Sequence, residues 1–207
     1  MFSFEDKIYP LTDAQLTGLS HAEQVAKLSD GGAGLIQLRE KHLPPKEFYN
    51  QAEAALRVAR KRGVRIIIND RVDLALALAA DGVHLGQDDL PPEAARRLLG
   101  NRAIIGFSTH NLEQARRAAD LPIDYLAIGP IFATSSKPNP DPIVGLEGLR
   151  KVRQTVGNFQ LVAIGGITEE NIRGVFEAGA DAAAVITAIL RQPTEIVERT
   201  KTFLSLR

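Results

Sequence analysis

The chain has 207 residues, 44% hydrophobic and 24% charged, enough apolar content for one substantial core in a single domain spanning residues 1–207. Lys plus Arg and Asp plus Glu both number 25, so the net charge is zero and gives no bulk electrostatic grip on nucleic acid. Cysteine is absent, which excludes disulfides, thiolate zinc sites and a cysteine nucleophile; with no basic-then-apolar leader and no apolar run near ~18 residues, the sequence reads as a soluble cytoplasmic protein.

Lys7 to Thr12 reads as a first strand. Ser20 to Asp30 follows as a helix, with Ser20 and Glu23 at capping-box spacing and Gly31-Gly32 as its stop. Leu35 to Glu40 is a second strand, and Pro44-Pro45 opens a long helix ending near Gly63. In the next stretch two strand-like runs, Ile66 to Ile68 and Val83 to Leu85, flank a short Leu/Ala-rich helix over Val72 to Ala80. Pro91-Pro92 starts a helix through Leu99, Ala103 to Phe107 is a strand, Asn111 to Ala119 a helix and Asp124 to Ile128 a strand. A long proline-bearing loop, Gly129 to Val144, comes next. Helix Gly145 to Val156, strand Gln160 to Ile164, helix Thr168 to Ala178, strand Ala182 to Ile186 and helix Pro193 to Leu204 complete the chain. Eight strands alternating with eight helices predict an α/β fold, a (β/α)8 TIM barrel, with a doubly wound open sheet as the alternative.

Parallel strands bring every strand-to-helix turn to one rim, so Asn69-Asp70 and Gln87-Asp88-Asp89 share it. Asp70 and Asp89 then have two readings, as helix caps or as ligands of a shared site. Alternation along Gln37 to Lys41 turns Gln37, Arg39 and Lys41 toward the mouth and Leu38 and Glu40 away from it. Inward cations call for an anionic ligand, or else for internal ion pairs with Asp70 or Asp89. Gly165-Gly166 and Ile186-Thr187 stand where such barrels bind phosphate, although Gly-Gly is also an ordinary turn. Thr134-Ser135-Ser136-Lys137 can wrap a phosphate or be a solvated turn, and the loop that carries it is long enough for a lid. Ser108 can donate to a phosphate or cap the next helix, and His110 stands beside it on the rim. His84 reads as a satisfied interior histidine, while His21 and His42 carry no signal.

Six motifs in order, QLREK at Gln37 to Lys41, NDRVDLAL at Asn69 to Leu76, ADGVHLGQDDLP at Ala80 to Pro91, GPIF with TSSK at Thr134 to Lys137, VGLEGL at Val144 to Leu149 and AIGGI at Ala163 to Ile167, resemble the thiamine phosphate synthase family. The resemblance runs from Tyr9 to Leu190. It implies Mg²⁺-dependent coupling of a hydroxymethylpyrimidine diphosphate to a thiazole phosphate, giving thiamine phosphate and pyrophosphate through a pyrimidine-methylene carbocation. It places Gln37, Arg39, Lys41, Asn69, Ser108 and Lys137 on the pyrimidine diphosphate, with Leu38 and Glu40 in the same segment counted among the substrate-binding residues. Asp70 and Asp89 are implied as magnesium ligands, and Thr134, Ser135, Ser136, Gly166, Ile186 and Thr187 as contacts of the thiazole phosphate. Arg39, Lys41, Ser108 and Lys137 are the expected catalytic set. Thr187 and Ser135-Ser136 depart from the family's usual serine and threonine at those places, yet both keep hydroxyls. Two carboxylates suit a cation that keeps several waters and bridges diphosphate oxygens. A thiazole tautomerase and a catalytically silent phosphate sensor are the rivals; retention of both Asp70 and Asp89 beside Arg39 and Lys41 favours the synthase. The expected partners are small-molecule substrates, with no nucleic acid and no membrane, and homo-oligomerisation is left open.

Overall fold

In the computed structural model, residues 2–134 and 141–206 are described. Eight parallel strands form one sheet in the order β1-β8-β7-β6-β5-β4-β3-β2. They are β1 (Ile8–Pro10), β2 (Leu35–Leu38), β3 (Arg65–Asn69), β4 (Gly82–Leu85), β5 (Ile104–Thr109), β6 (Tyr125–Ile128), β7 (Leu161–Ile164) and β8 (Ala182–Val185). A parallel bridge between Leu11 and Gln37, with the Thr12 N–H donating to the Gln37 carbonyl at 2.9 Å, joins the first and last strands of that order. The open-sheet alternative is thereby set aside, and the expected (β/α)8 barrel is the fold.

Strand alternation sorts the apolar residues into two layers. Ile36, Leu38, Ile66, Ile68, Val83 and Leu85 face outward into the large cluster shared with the helices, whereas Leu35, Ile67, Ile104, Tyr125 and Val162 fill the barrel interior. Helices enclose the strands: α1 (Ala14–Thr17), α2 (His21–Asp30), α3 (Pro45–Arg62), α4 (Val72–Ala77), α5 (Pro92–Leu99), α6 (Leu112–Ala118), α7 (Gly145–Val156), α8 (Ile172–Glu177), α9 (Thr187–Leu190) and α10 (Ile196–Ser205). The short α1 and α9 exceed the expected eight helices among the described residues; both sit in strand-to-helix connections. The Ser20–Glu23 capping box opens α2 as expected, and Gly63 in the left-handed region ends α3.

A repeated device holds the end of the barrel where the strands begin. The carboxylates of Asp81, Asp124 and Asp181, each just before a strand, accept the N–H groups of Ile66, Ile105 and Leu161 on the adjacent strand at 2.7, 2.8 and 2.7 Å. Arg96 on α5 and Arg153 on α7 pair with Asp124 and Asp181, each at 2.6 Å. Charge-assisted bonds thus tie helices to strands at that end and leave the other rim for a site.

Candidate active site

The C-terminal rim opens into a cavity of about 1040 Å³ lined from the ends of all eight strands. Arg39 and Lys41 come from the turn after β2, Asn69 and Asp70 from the end of β3, and Asp88 and Asp89 from the turn after β4. Ser108 stands on β5, Thr134 follows β6, Gly166 follows β7 and Ile186 and Thr187 follow β8. Every expected site residue within the described part of the chain reaches this cavity except Leu38 and Glu40. Leu38 is buried among the outward-facing apolar side chains. Glu40 points into its own turn, where one carboxylate oxygen accepts the N–H groups of Lys41, His42 and Leu43 at 2.8, 2.7 and 3.2 Å. The alternation expected for Gln37 to Lys41 therefore holds, with the Leu38 and Glu40 side chains turned away from the cavity. Ser135, Ser136 and Lys137 lie outside the described residues.

His21, which carried no signal in the sequence, is fully buried beneath that turn. Its Nε2 lies 3.3 Å from Glu40 and its Nδ1 2.7 Å from the Thr12 hydroxyl, which in turn accepts the Arg39 N–H at 3.2 Å. Burial pushes the His21 pKa below its ordinary value against the pull of Glu40. This brace presents Arg39 and Lys41 to the cavity.

The capping readings of Asp70 and Asp89 fail. Neither α4 nor α5 has a side-chain cap, and α6 is capped by Asn111 rather than by Ser108. Asp70 instead takes a left-handed backbone, φ 62°, an uncommon conformation for a residue other than glycine that is concentrated at functional sites. Its carboxylate pairs with Lys41 at 2.5 Å. Arg39 pairs at 3.1 Å with Asp13, a partner not foreseen from the sequence. The internal ion pairs considered as an alternative to anion binding are thus partly formed, and both pairs lie at the mouth, partly open to water. Exposed pairs of this kind are weak and exchange readily for a ligand.

Asp89 accepts the Gly86 N–H at 2.6 Å. Burial raises its pKa and the neighbouring Asp70 carboxylate adds to that rise, against the lowering effect of the Gly86 N–H. Lys41 is the cation already beside this pair, bonding Asp70 and lowering the Asp89 pKa. Among the described residues no group of three or more His, Cys, Asp or Glu side chains assembles. A pair of carboxylates beside a cavity suits Mg²⁺, which takes few protein oxygens and completes its shell with water and phosphate. Asn69 adds an independent sign of an anion: its Nδ2 is the one buried side-chain polar atom without a hydrogen-bond partner among the described residues. Such a donor is costly unless a ligand oxygen meets it.

On the opposite side of the mouth Gly165 and Gly166 have positive φ, 101° and 65°. A Cβ on Gly166 would run into the Ala133 carbonyl and the Phe132 side chain, so the turn demands glycine there. α9 begins at Thr187, directly after Ile186. Arg191 and Arg199 also line this side and were missed, because they belong to the end of α9 and to α10 rather than to a strand-end turn. Arg199 spans Glu195 at 2.8 Å and Glu169 at 3.8 Å. His84 is the satisfied interior histidine expected and also forms part of the cavity floor, bonded to Tyr125 and Ser108 at 2.9 and 2.8 Å. Burial lowers its pKa to about 4.

The sequence profile of the thiamine monophosphate synthase family matches residues 8–189. The thiamine-phosphate synthase of Chloroflexus aurantiacus is 46% identical over 89% of this chain and 85% of its own length, and that of Syntrophomonas wolfei is 46% identical over 92% and 91%. A solved thiamine phosphate pyrophosphorylase from Pyrococcus furiosus superposes with a TM-score of 0.86 at 36% identity, covering 97% of this chain and 94% of that one. With a profile spanning almost the whole barrel and relatives alike across nine-tenths of it, this chain belongs to the thiamine monophosphate synthase family.

Proposed function

We propose that the cavity joins 4-amino-2-methyl-5-(diphosphooxymethyl)pyrimidine to 4-methyl-5-(2-phosphooxyethyl)thiazole, releasing pyrophosphate and leaving thiamine phosphate, the transferase reaction of thiamine biosynthesis. The bond between the pyrimidine methylene and the diphosphate oxygen breaks, and its electron pair leaves with pyrophosphate. The thiazole ring nitrogen supplies the pair for the new carbon–nitrogen bond. No proton moves at the reacting atoms, because a ring nitrogen needs no base to activate it.

The single observation that carries the residue assignment is the convergence, at one side of the mouth, of Arg39, Lys41, Asp70 and Asp89 on the unpartnered Asn69 amide. Asp70 and Asp89 would hold Mg²⁺. When bound, this ion supplies charge neutralisation to the diphosphate and to the departing pyrophosphate. Lys41 and Arg39 exchange their carboxylate partners for phosphate oxygens, Asn69 donates its free N–H, and Ser108 donates its hydroxyl. Negative charge accumulates on pyrophosphate as it departs, so these preorganised donors stabilise the transition state more than the ground state. From the resemblance, Lys137 joins them. Thr134, Gly166, Ile186 and Thr187 hold the thiazole phosphate on the far side, and the resemblance adds Ser135 and Ser136. The tautomerase reading is disfavoured by the acidic pair, for which proton transfer on a thiazole phosphate has no use.

The test is to incubate the protein with both substrates, with and without Mg²⁺, and to measure thiamine phosphate and pyrophosphate. Stoichiometric formation of both, abolished by chelation, is expected. Binding of either substrate without turnover would favour the sensor and overturn the coupling reaction.

A further inference from the structure

At the cavity floor side chains from β1, β2, β4, β5 and β6 are joined in a file of hydrogen bonds, with Gln37 also reaching Tyr125. Gln37 Nε2 lies 3.1 Å from Tyr9 Oη, Tyr9 Oη 2.9 Å from Tyr125 Oη, Tyr125 Oη 2.9 Å from His84 Nδ1 and His84 Nε2 2.8 Å from Ser108 Oγ. Both tyrosines are fully buried, and Tyr125 fits because β5 carries glycine at 106, where a Cβ would strike its ring. Gln37, Tyr9, His84 and Ser108 line the cavity, with Tyr125 behind them.

The chemistry of these groups allows one direction of donation. The Gln37 N–H can only donate, so Tyr9 Oη accepts. Among the described residues the Tyr9 proton has one acceptor within reach, Tyr125 Oη. Tyr125 therefore donates to His84 Nδ1. An uncharged imidazole that accepts at Nδ1 carries its proton on Nε2, and this N–H donates to Ser108 Oγ. The Ser108 proton is left for the cavity. In the reverse direction Ser108 would donate to His84 and His84 to Tyr125, so two donors would meet at Tyr9, a residue only 1% exposed, and its own proton would have no acceptor among the described residues. We infer that this file locks Ser108 as a hydrogen-bond donor toward the substrate, with Tyr9, Tyr125 and His84 as positioning residues. The inference rests on the coupling reaction proposed above, in which Ser108 meets the pyrimidine diphosphate. The locked polarity spares Ser108 a rotational choice on binding and holds out a donor where an anionic group arrives.

Two measurements test it. In ¹⁵N-histidine protein, His84 is assigned by its absence from His84→Gln among the four histidines. The Nε2–H tautomer is expected in the ligand-free parent, and the Nδ1–H tautomer would overturn the inference whether or not the protein is active. A coupling-assay cycle over Tyr125→Phe, Ser108→Ala and the double variant is the second. Tyr125→Phe should lower kcat/KM about three- to tenfold, the worth of one neutral hydrogen bond, and should do nothing further in the Ser108→Ala background. An equal loss with and without Ser108 would make Tyr125 merely structural and sink the relay. A parent that holds the Nε2–H tautomer but makes no thiamine phosphate would instead defeat the coupling reaction and leave the polarity of the file standing.

Discussion

Asn69→Leu separates the needs of the fold from those of the ligand. Asn69 is 6% exposed, its Nδ2 has no partner, and leucine has nearly its shape without the polar atoms. A buried unpaired donor costs about 1–3 kcal/mol, so removing it should stabilise the ligand-free protein by about 1 kcal/mol or more. For a chain of this size that raises the Tm by roughly 2–4 °C per kcal/mol. The same change removes a hydrogen bond to a charged diphosphate oxygen, worth about 1.5–3 kcal/mol, and should weaken capture of the pyrimidine diphosphate roughly 10- to 100-fold. Thermal unfolding of the free proteins gives the first quantity and KM for each substrate the second; KM for the thiazole phosphate should stay within a factor of about two. A leucine variant that melts below the parent, or one that binds the diphosphate normally, would refute the view that Asn69 is held unpaired for an anion.

Asp70→Asn and Asp89→Asn keep the shape of the rim while removing charge from the proposed metal site. Each should lose most turnover and its Mg²⁺ dependence while thiazole phosphate binding, followed by calorimetry, is preserved; equal loss of both would break the division of the cavity into two halves. Lys41→Met removes a partly exposed ion pair worth at most about 1 kcal/mol, so activity should collapse with little change in Tm. Asp181→Ala, at the opposite end of the barrel, should do the reverse, lowering the Tm through loss of its bonds to Leu161 and Arg153 while KM for both substrates holds. His21 is kept neutral by burial, its folded pKa lying below the ordinary 6.5. The stability it contributes is therefore complete above pH 6.5 and is lost as pH falls through the lowered folded value. Chemical denaturation across that window should show a slope of up to about 1.4 kcal/mol per pH unit in the parent that is missing in His21→Gln, and identical slopes would remove His21 as its source.

Much of this architecture could be read from residue order because alternation and punctuation agree. α7 has the bounds expected, Gly145–Val156, and α2 and α3 start at the Ser20 and Pro44 signals. Where expectation and structure part, a local polar competitor or a backbone reversal is the reason. α8 was expected from Thr168, but the Asn171 side chain takes the Thr168 N–H at 2.9 Å and donates to the Gly166 carbonyl at 2.9 Å, which delays the helix to Ile172. α4 stops at Ala77 instead of Ala80, and Ala79 has a positive φ of 48°. β5 runs past Phe107 to Thr109, which makes Ser108 a strand residue facing His84 rather than a cap. The rim carboxylates and cations were legible because strand-end turns must gather on one side. The Arg39–Asp13 pair, the His21–Glu40 brace and the places of Arg191 and Arg199 at the cavity were not, because each depends on tertiary contacts that no periodicity encodes.

The most direct measurement of the proposed site is a crystal structure of the protein with Mg²⁺ and pyrophosphate. Expected are one metal ion bridging the Asp70 and Asp89 carboxylates to the anion, Lys41 released from Asp70 onto a phosphate oxygen, and the Asn69 Nδ2 in hydrogen-bond contact with the ligand. Pyrophosphate bound elsewhere, or the Lys41–Asp70 pair intact beside an Asn69 amide still without a partner, would contradict the proposed site.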